Sequence, residues 1–147
     1  MIRRVLFVDD EPNVLRALKL LLRRQVKQWE MVFAPDADHA LAELERVPFD
    51  LVISDMRMPR IDGAELLTRV AERWPRTGRV ILSGYADEDA MQRAMKVAHK
   101  WLSKPCDLPT LLAAVAELEA LGVGQSGLTR VPCDPEPAST SVSTASS

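Results

Sequence analysis

Phe49 to Ser54 is a short, nearly continuous apolar run that stops at Asp55. With Val52 and Ile53 at its centre, such a run fits a strand buried on both faces, the kind a parallel α/β sheet requires. Asp55 then stands at the carboxyl end of a buried strand, where open α/β sheets place their ligands. Met56 to Pro59 opens a loop, because Pro59 delays the next helix, and Gly63 supplies a permissive backbone before that helix begins. Taken singly, an aspartate after a strand is as readily a helix cap as a functional group. Its weight comes from the rest of the chain.

The same pattern recurs on either side. Val5 to Val8 is a second buried run and ends at Asp9 and Asp10. Helix one follows, with Pro12 near its first turn, where a missing N–H costs nothing. Val14, Leu15, Leu18, Leu21 and Leu22 share one helical face, and Arg16, Lys19, Arg23 and Lys27 take the other. Trp29 to Ala34 is short and alternates in character, as an edge strand does. Asp36 or Asp38 caps helix two, whose stripe of Ala40, Leu41, Leu44 and Val47 runs up to Pro48. Helix three, Ala64 to Trp74, turns Leu66, Leu67, Val70 and Trp74 inward and stops at Pro75. Val80 to Leu82 is a further buried strand, ending at Ser83 and Gly84. Asp87 caps helix four, whose Ala90, Met91, Ala94, Met95 and Ala98 offer only small or flexible packing, so it should be held less firmly than its neighbours. Trp101 and Leu102 form a last short strand leading into Lys104 and Pro105. Helix five spans Leu108 to Leu121, and Gly122 and Gly124 end it.

Five strands alternating with five helices predict a doubly wound parallel sheet with right-handed crossovers. The first, third and fourth strands are the most apolar and should be central, with the second and fifth at the edges. An order of 2-1-3-4-5 meets that condition, and its topological switch point falls between the strands ending in Asp9, Asp10 and Asp55. The expected domain covers residues 1–121. Residues 122–147 are rich in Ser, Thr, Pro and Ala with few large apolar side chains, which predicts a disordered tail. No output domain is evident: either the chain is a stand-alone unit with a loose tail, or it stops short of an effector.

Composition narrows the class. A chain of 147 residues with 47% hydrophobic and 27% charged residues is that of an ordinary globular domain. A formal net charge of −2 gives no broad electrostatic reason to bind nucleic acid. Cys106 and Cys133 have neither metal-ligand nor CxxC spacing, which fits a reducing compartment. The apolar run after Met1 is too short for a signal peptide, and no segment approaches a membrane span. The expectation is a cytoplasmic protein with no membrane partner.

Asp9, Asp10 and Asp55 should converge at one end of the sheet. Three neighbouring carboxylates repel one another, so a proton or a cation belongs among them. Oxygen-only ligands with room for water suit Mg²⁺, with Mn²⁺ possible. The bland alternative, with Asp10 as a helix cap and Asp9 merely exposed, weakens once Asp55 occupies the adjacent strand end. Lys104 and Ser83 lie on the same rim. A cation, a lysine and a hydroxyl around one carboxylate make a site for a transferring phosphoryl group, with Asp55 as nucleophile.

On these residues the chain resembles the receiver domain of two-component response regulators. The resemblance is carried by VDDEP at Val8 to Pro12, SDMRMPRIDG at Ser54 to Gly63, LSGYAD at Leu82 to Asp87 and LSKP at Leu102 to Pro105, and it runs from about Arg3 to Leu121. It implies a flavodoxin-like fold and a signalling switch rather than a metabolic enzyme. Asp55 would accept a phosphoryl group from a histidine kinase or phosphotransfer protein. Asp10, Asp55 and the backbone carbonyl of Arg57 would bind Mg²⁺ directly, and Asp9 largely through water. Ser83 would move toward the phosphoryl group, the rotamer of Trp101 would follow it, Lys104 would bind phosphoryl oxygens, and the Lys104–Pro105 bond would be cis. Trp101 stands where such domains more often carry Tyr or Phe, so bulk would restrict its swing. Arg57 and Tyr85 flank the site at variable positions, Gly84 leaves its approach open, and nothing nearby would activate Cys106.

Helix five reads as apolar almost all round, through Leu111, Leu112, Ala113, Ala114, Val115, Ala116 and Leu118. Two readings stay open: a face for an effector or a homodimer, or an alanine-rich helix chosen for propensity. In receivers the helix four–strand five–helix five face commonly carries the signal. Two other classes of function compete with the phosphorylated switch. A receiver-like binding module working without phosphorylation would not need the full set of Asp9, Asp10, Asp55, Ser83 and Lys104. A Mg²⁺-dependent phosphohydrolase would need a second acid soon after Asp55, where Arg57 stands.

Overall fold

Five parallel strands form one sheet in the order β2-β1-β3-β4-β5. They are β1 (Arg4–Val8), β2 (Glu30–Ala34), β3 (Leu51–Ser54), β4 (Gly78–Ser83) and β5 (Lys100–Ser103), connected by α1 (Pro12–Leu21), α2 (Ala37–Arg46), α3 (Gly63–Arg73) and α4 (Glu88–Met95), with α5 (Leu108–Ala120) last. The structure, a computed structural model, describes residues 2–84 and 87–124. The predicted tail beyond 124, Cys133 and Tyr85 lie outside the described residues.

Alternation along the strands divides the core in two. Leu6, Val8, Ala34, Val52 and Ile81 face α2, α3 and α4. Val5, Phe7, Leu51, Ile53, Val80 and Leu82 face the other way, toward Leu18 and Leu21 of α1 and Leu111, Val115 and Leu118 of α5. All four residues of β3 are buried, as its apolar run requires, whereas β2 and β5 at the edges are mostly half-buried. Phe7 stacks on Phe33 of the neighbouring edge strand with centroids 5.0 Å apart.

Several local expectations are refined. Helix one ends at Leu21, and Arg23–Lys27 form a 3-10 segment; α1 itself has no fully buried residue, and Leu22, just past its end, fills the core. Asp36, not Asp38, caps α2 by accepting the His39 N–H at 2.8 Å, while Asp38 pairs with Arg60. Trp74 follows α3 rather than belonging to it, and is half-buried under Arg73, whose guanidinium lies 4.5 Å from the ring. In α4 only Ala90 and Ala94 are buried and Met95 is exposed, which leaves the helix the thin apolar hold its sequence predicts.

The end of α5 is built by its glycine. Gly122 takes φ +80°, a conformation open to a residue without Cβ. Its N–H then reaches the Glu119 carbonyl at 3.0 Å and the Val123 N–H reaches that of Leu118 at 3.1 Å, the paired bonds that close a helix. Val123 packs on the core and the Gly124 N–H bonds to the Arg76 carbonyl, so ordered packing continues to residue 124.

Candidate phosphoacceptor site

Four strand ends meet at the carboxyl edge of the sheet. The Asp9 N–H continues the β2 ladder to the Ala34 carbonyl at 3.1 Å, and the Asp55 N–H continues the β1 ladder to the Val8 carbonyl at 2.8 Å. Ser83 closes β4 opposite Ser103 of β5, and the Lys104 N–H bonds to the Ser83 carbonyl at 3.0 Å. Each side chain at this rim is therefore held by a backbone that the sheet itself fixes.

The carboxylates of Asp9, Asp10 and Asp55 converge, each offering an oxygen within 4.8 Å of the others. They differ in surroundings: Asp9 is buried, Asp55 half-buried and Asp10 exposed. Lys104 Nζ enters the cluster from β5, 2.7 Å from Asp9 Oδ2 and 3.5 Å from Asp55 Oδ1. The Glu11 N–H donates to Asp9 Oδ1 at 3.0 Å, and the Met56 N–H to Asp55 Oδ1 at 2.9 Å. An all-oxygen donor set of three carboxylates at an open strand end fits a hard divalent cation such as Mg²⁺.

Charge crowding shows in the titration of the site. Burial, and then the neighbouring Asp9 carboxylate, push the Asp55 carboxyl above its ordinary range, with Lys104 and the Met56 N–H pulling the other way. Burial also works against the charge on Lys104. The hydrogen bond to Asp9 and the two carboxylates outweigh it and hold the ammonium above the ordinary lysine value.

The loop after β3 is drawn tight over the site. The Gly63 N–H bonds to the Met56 carbonyl at 2.8 Å, and a Cβ at Gly63 would meet the Asp55 carbonyl oxygen at 2.3 Å. Beyond this loop lies a cavity of about 520 Å³ lined by Asp10, Arg57, Asp62, Asp87 and Arg93, among others. Asp62 was missed by sequence reasoning. It caps α3 through the Glu65 N–H and pairs with Arg93 of α4 at 3.0 Å, joining two helices beside the site. The signal for the cap was present in the sequence, as aspartate three residues ahead of Glu65; the cross-helix pair had none.

The remaining expected residues fall as follows. Ser83 is buried at the rim, Arg57 is exposed at its mouth, and Trp101 is half-buried against the α4 side of the core. The Lys104–Pro105 bond is cis. Past its first turn, where Pro109 and Thr110 are exposed, the exposed positions of α5 are Ala113, Ala116, Glu117 and Ala120, so its outward face there is alanine and acid while its large apolar side chains turn inward or toward its flank. Burial, with Asp107, pushes the Cys106 thiol up, as expected of a cysteine that is not activated.

The model of the response regulator receiver domain matches residues 5–116. The chain belongs to that family. As a receiver domain it is a signal-transduction module of two-component systems. It is 34% identical over 122 residues to the hydrogenase transcriptional regulatory protein HoxA of Cupriavidus necator, covering 81% of this chain and 25% of that one. It is 34% identical to the response regulator protein PilR of Pseudomonas aeruginosa, covering 78% and 25%. The receiver thus spans about a quarter of the length of these relatives. Among solved structures, the signal receiver domain of an HD domain-containing protein from Pseudomonas fluorescens superposes with a TM-score of 0.76 at 34% identity, over 82% of this chain and 97% of that one. The response regulator TrrA of Thermotoga maritima, solved in complex with Mg²⁺-BeF, superposes with a TM-score of 0.70 at 27% identity, over 80% and 99%.

Proposed function

We propose that Asp55 is the phosphoacceptor of this receiver, loaded by a histidine kinase or a phosphotransfer protein in a Mg²⁺-dependent reaction. One observation carries the reading: Lys104 Nζ stands between Asp9 and Asp55 at a solvent-open strand end where three carboxylates converge. An Asp55 oxygen attacks the phosphorus of a phosphohistidine, the P–N bond breaks, and the imidazole nitrogen leaves with its electron pair. Asp10, Asp55 and the Arg57 carbonyl would hold Mg²⁺, with Asp9 joining through water; the bound ion supplies positive charge to the transferring phosphoryl oxygens. Lys104 lies within a short side-chain movement of those same oxygens and neutralises part of the developing charge. Ser83 donates its hydroxyl to one of them.

Phosphorylation replaces one charge at Asp55 with about two and adds acceptor oxygens. Lys104 and Ser83 respond, and both sit at the ends of strands that border α4. The helix offers little resistance, since only two alanines of it are buried. The output face is α4–β5–α5, with Trp101 on β5 following the change. Its partners are an effector protein, an effector segment of a longer chain, or a second copy forming a homodimer. The setting is cytoplasmic, without direct contact to membrane or nucleic acid. Among the described residues no helix is long and apolar enough to cross a membrane.

Intact-protein mass spectrometry after incubation with acetyl phosphate, with and without Mg²⁺, tests this beside Asp55→Asn. One Mg²⁺-dependent phosphoryl adduct, absent from the variant, is expected. No adduct, together with no change in tryptophan fluorescence on adding beryllofluoride, would overturn the reading.

A further inference from the structure

The cations of this chain are not distributed evenly. Between Pro12 and Trp29 there are five basic residues, Arg16, Lys19, Arg23, Arg24 and Lys27, and no acidic one, although the whole chain carries a net charge of −2. Elsewhere several arginines on the helices are matched to carboxylates: Arg46 to Glu43, Arg69 to Glu65, Arg73 to Glu45 and Arg93 to Asp62. Among the described residues none of the five has a carboxylate partner. Arg16 bonds to Asn13, Arg23 to the Leu20 carbonyl, and Lys19 lies over the Phe33 ring at 5.2 Å.

The lower part of this strip, the 3-10 segment Arg23–Lys27, sits at the amino ends of the strands, opposite the phosphoacceptor rim. Lys27, Gln28 and the buried Trp29 line two grooves in common. One, of about 420 Å³, continues over Arg3, Arg4 and Pro48. The other, of about 700 Å³, is floored by Leu112, Val115 and Ala116 of α5. Val26, 63% exposed, stands on the rim of the first. Of the acids nearby, Glu30 pairs with Arg4, while Glu119 and Asp50 are turned onto backbone N–H groups, those of Ile2 and of Arg3 and Arg4. What faces solvent is the positive charge of Arg23, Arg24 and Lys27, beside a first groove lined mainly by polar groups and a second whose α5 side is apolar.

We propose that this end of the receiver is a docking surface for an acidic, leucine-bearing segment of a partner protein. Carboxylates of the segment meet Arg23, Arg24 and Lys27, and its apolar side chains cover the exposed Val26 and enter the groove between Trp29 and α5. Concavity selects this occupant. A bilayer surface would leave both grooves empty, and a phosphate backbone would make no use of an apolar floor. Because the surface lies at the far end of the sheet from Asp55, a docked partner leaves the phosphoacceptor open to its donor.

The test uses the full chain and a fluorescein-labelled synthetic peptide of aspartate and glutamate interspersed with leucine, at physiological ionic strength. Fluorescence anisotropy is expected to show saturable binding. The double charge reversal Arg23→Glu with Lys27→Glu weakens it by about tenfold or more, and both Val26→Ser and replacement of the peptide leucines by serine weaken it further. Circular dichroism checks that the variants fold; all three substituted side chains are exposed or line a surface groove. Three results would each overturn the proposal: no binding of the peptide, binding indifferent to the charge reversal or to the leucines, or binding only to phosphatidylserine vesicles or a DNA duplex offered in its place.

Discussion

Lys104 lies closer to Asp9, at 2.7 Å, than to the proposed phosphoacceptor, and this pair ties the loop after β5 to the loop after β1. The ammonium thus occupies part of the charge a divalent cation would otherwise neutralise. Replacing it with methionine removes a competitor for the acids. Lys104→Met is expected to bind Mg²⁺ severalfold more tightly, followed by tryptophan fluorescence, and yet to yield less phosphoryl adduct from acetyl phosphate. An unchanged Mg²⁺ affinity would show that the lysine does not oppose the ion.

Two glycines flank the site and should respond differently to the same substitution. A Cβ at Gly63 would lie 2.3 Å from the Asp55 carbonyl oxygen, whereas at Gly84 the nearest atom is Lys104 Cβ at 3.7 Å. Ile81 Cδ1, at 3.0 Å, could yield, but the Asp55 carbonyl and Met56 Cα, also at 3.0 Å, are backbone and cannot. Gly63→Ala is expected to cost about 1–3 kcal/mol through the displaced loop, and Gly84→Ala to stay within about 0.5 kcal/mol. Thermal or urea unfolding of the two variants side by side checks this, and equal losses would refute it.

His99 should make stability fall under mild acid. Its Nδ1 accepts the Arg79 N–H at 3.0 Å at the start of the β4–β5 pairing, a bond only the unprotonated nitrogen can accept. Burial, and then the Arg79 guanidinium, hold the imidazole below its ordinary value of 6.5. The sign follows from proton counting: the unfolded chain takes the proton first, so stability drops as pH falls from about 6.5 toward the folded value. His99→Asn keeps an acceptor near Nδ1 but does not titrate. Melting temperature against pH should show a smaller loss over that window in the variant than in the parent, and parallel curves would sink the assignment.

The strand order and the acid rim could be read in advance because both rest on short-range sequence signals. Apolar runs such as Val5–Val8 and Phe49–Ser54 report burial directly, and the residue that ends each run inherits its place at the rim. Lys104 and Ser83 were legible for the same reason. What escaped was set by contacts between distant segments. The break after Leu21 leaves no mark in the helical stripe, since Leu22 continues the spacing while leaving the helix. Asp62 reads as one more acidic loop residue until α4 brings Arg93 against it. Helix five looked apolar on two faces because alanine counts as apolar in a pattern, whereas in space its outward alanines offer little area to bury.

Arg79 is the clearest case of a residue that pattern reading passed over, being a charge inside a strand. Its half-buried guanidinium donates to three carbonyls, Val97 at 2.5 Å from Nε and Pro75 and Thr77 at 3.1 and 2.9 Å from Nη1. These carbonyls belong to the turn before β4 and to the segment between α4 and β5, so one side chain pins the base of the proposed output face. Methionine matches its apolar stem but donates nothing. Lysine restores the charge but, as a compact ammonium, cannot span both turns as a planar fork does. Arg79→Met is expected to lose about 2 kcal/mol, with Arg79→Lys recovering only part, and amide exchange should accelerate at Val97 to Lys100 more than in α3. A uniform acceleration across the domain would instead mean that the arginine stabilises the fold as a whole and does not pin this segment in particular.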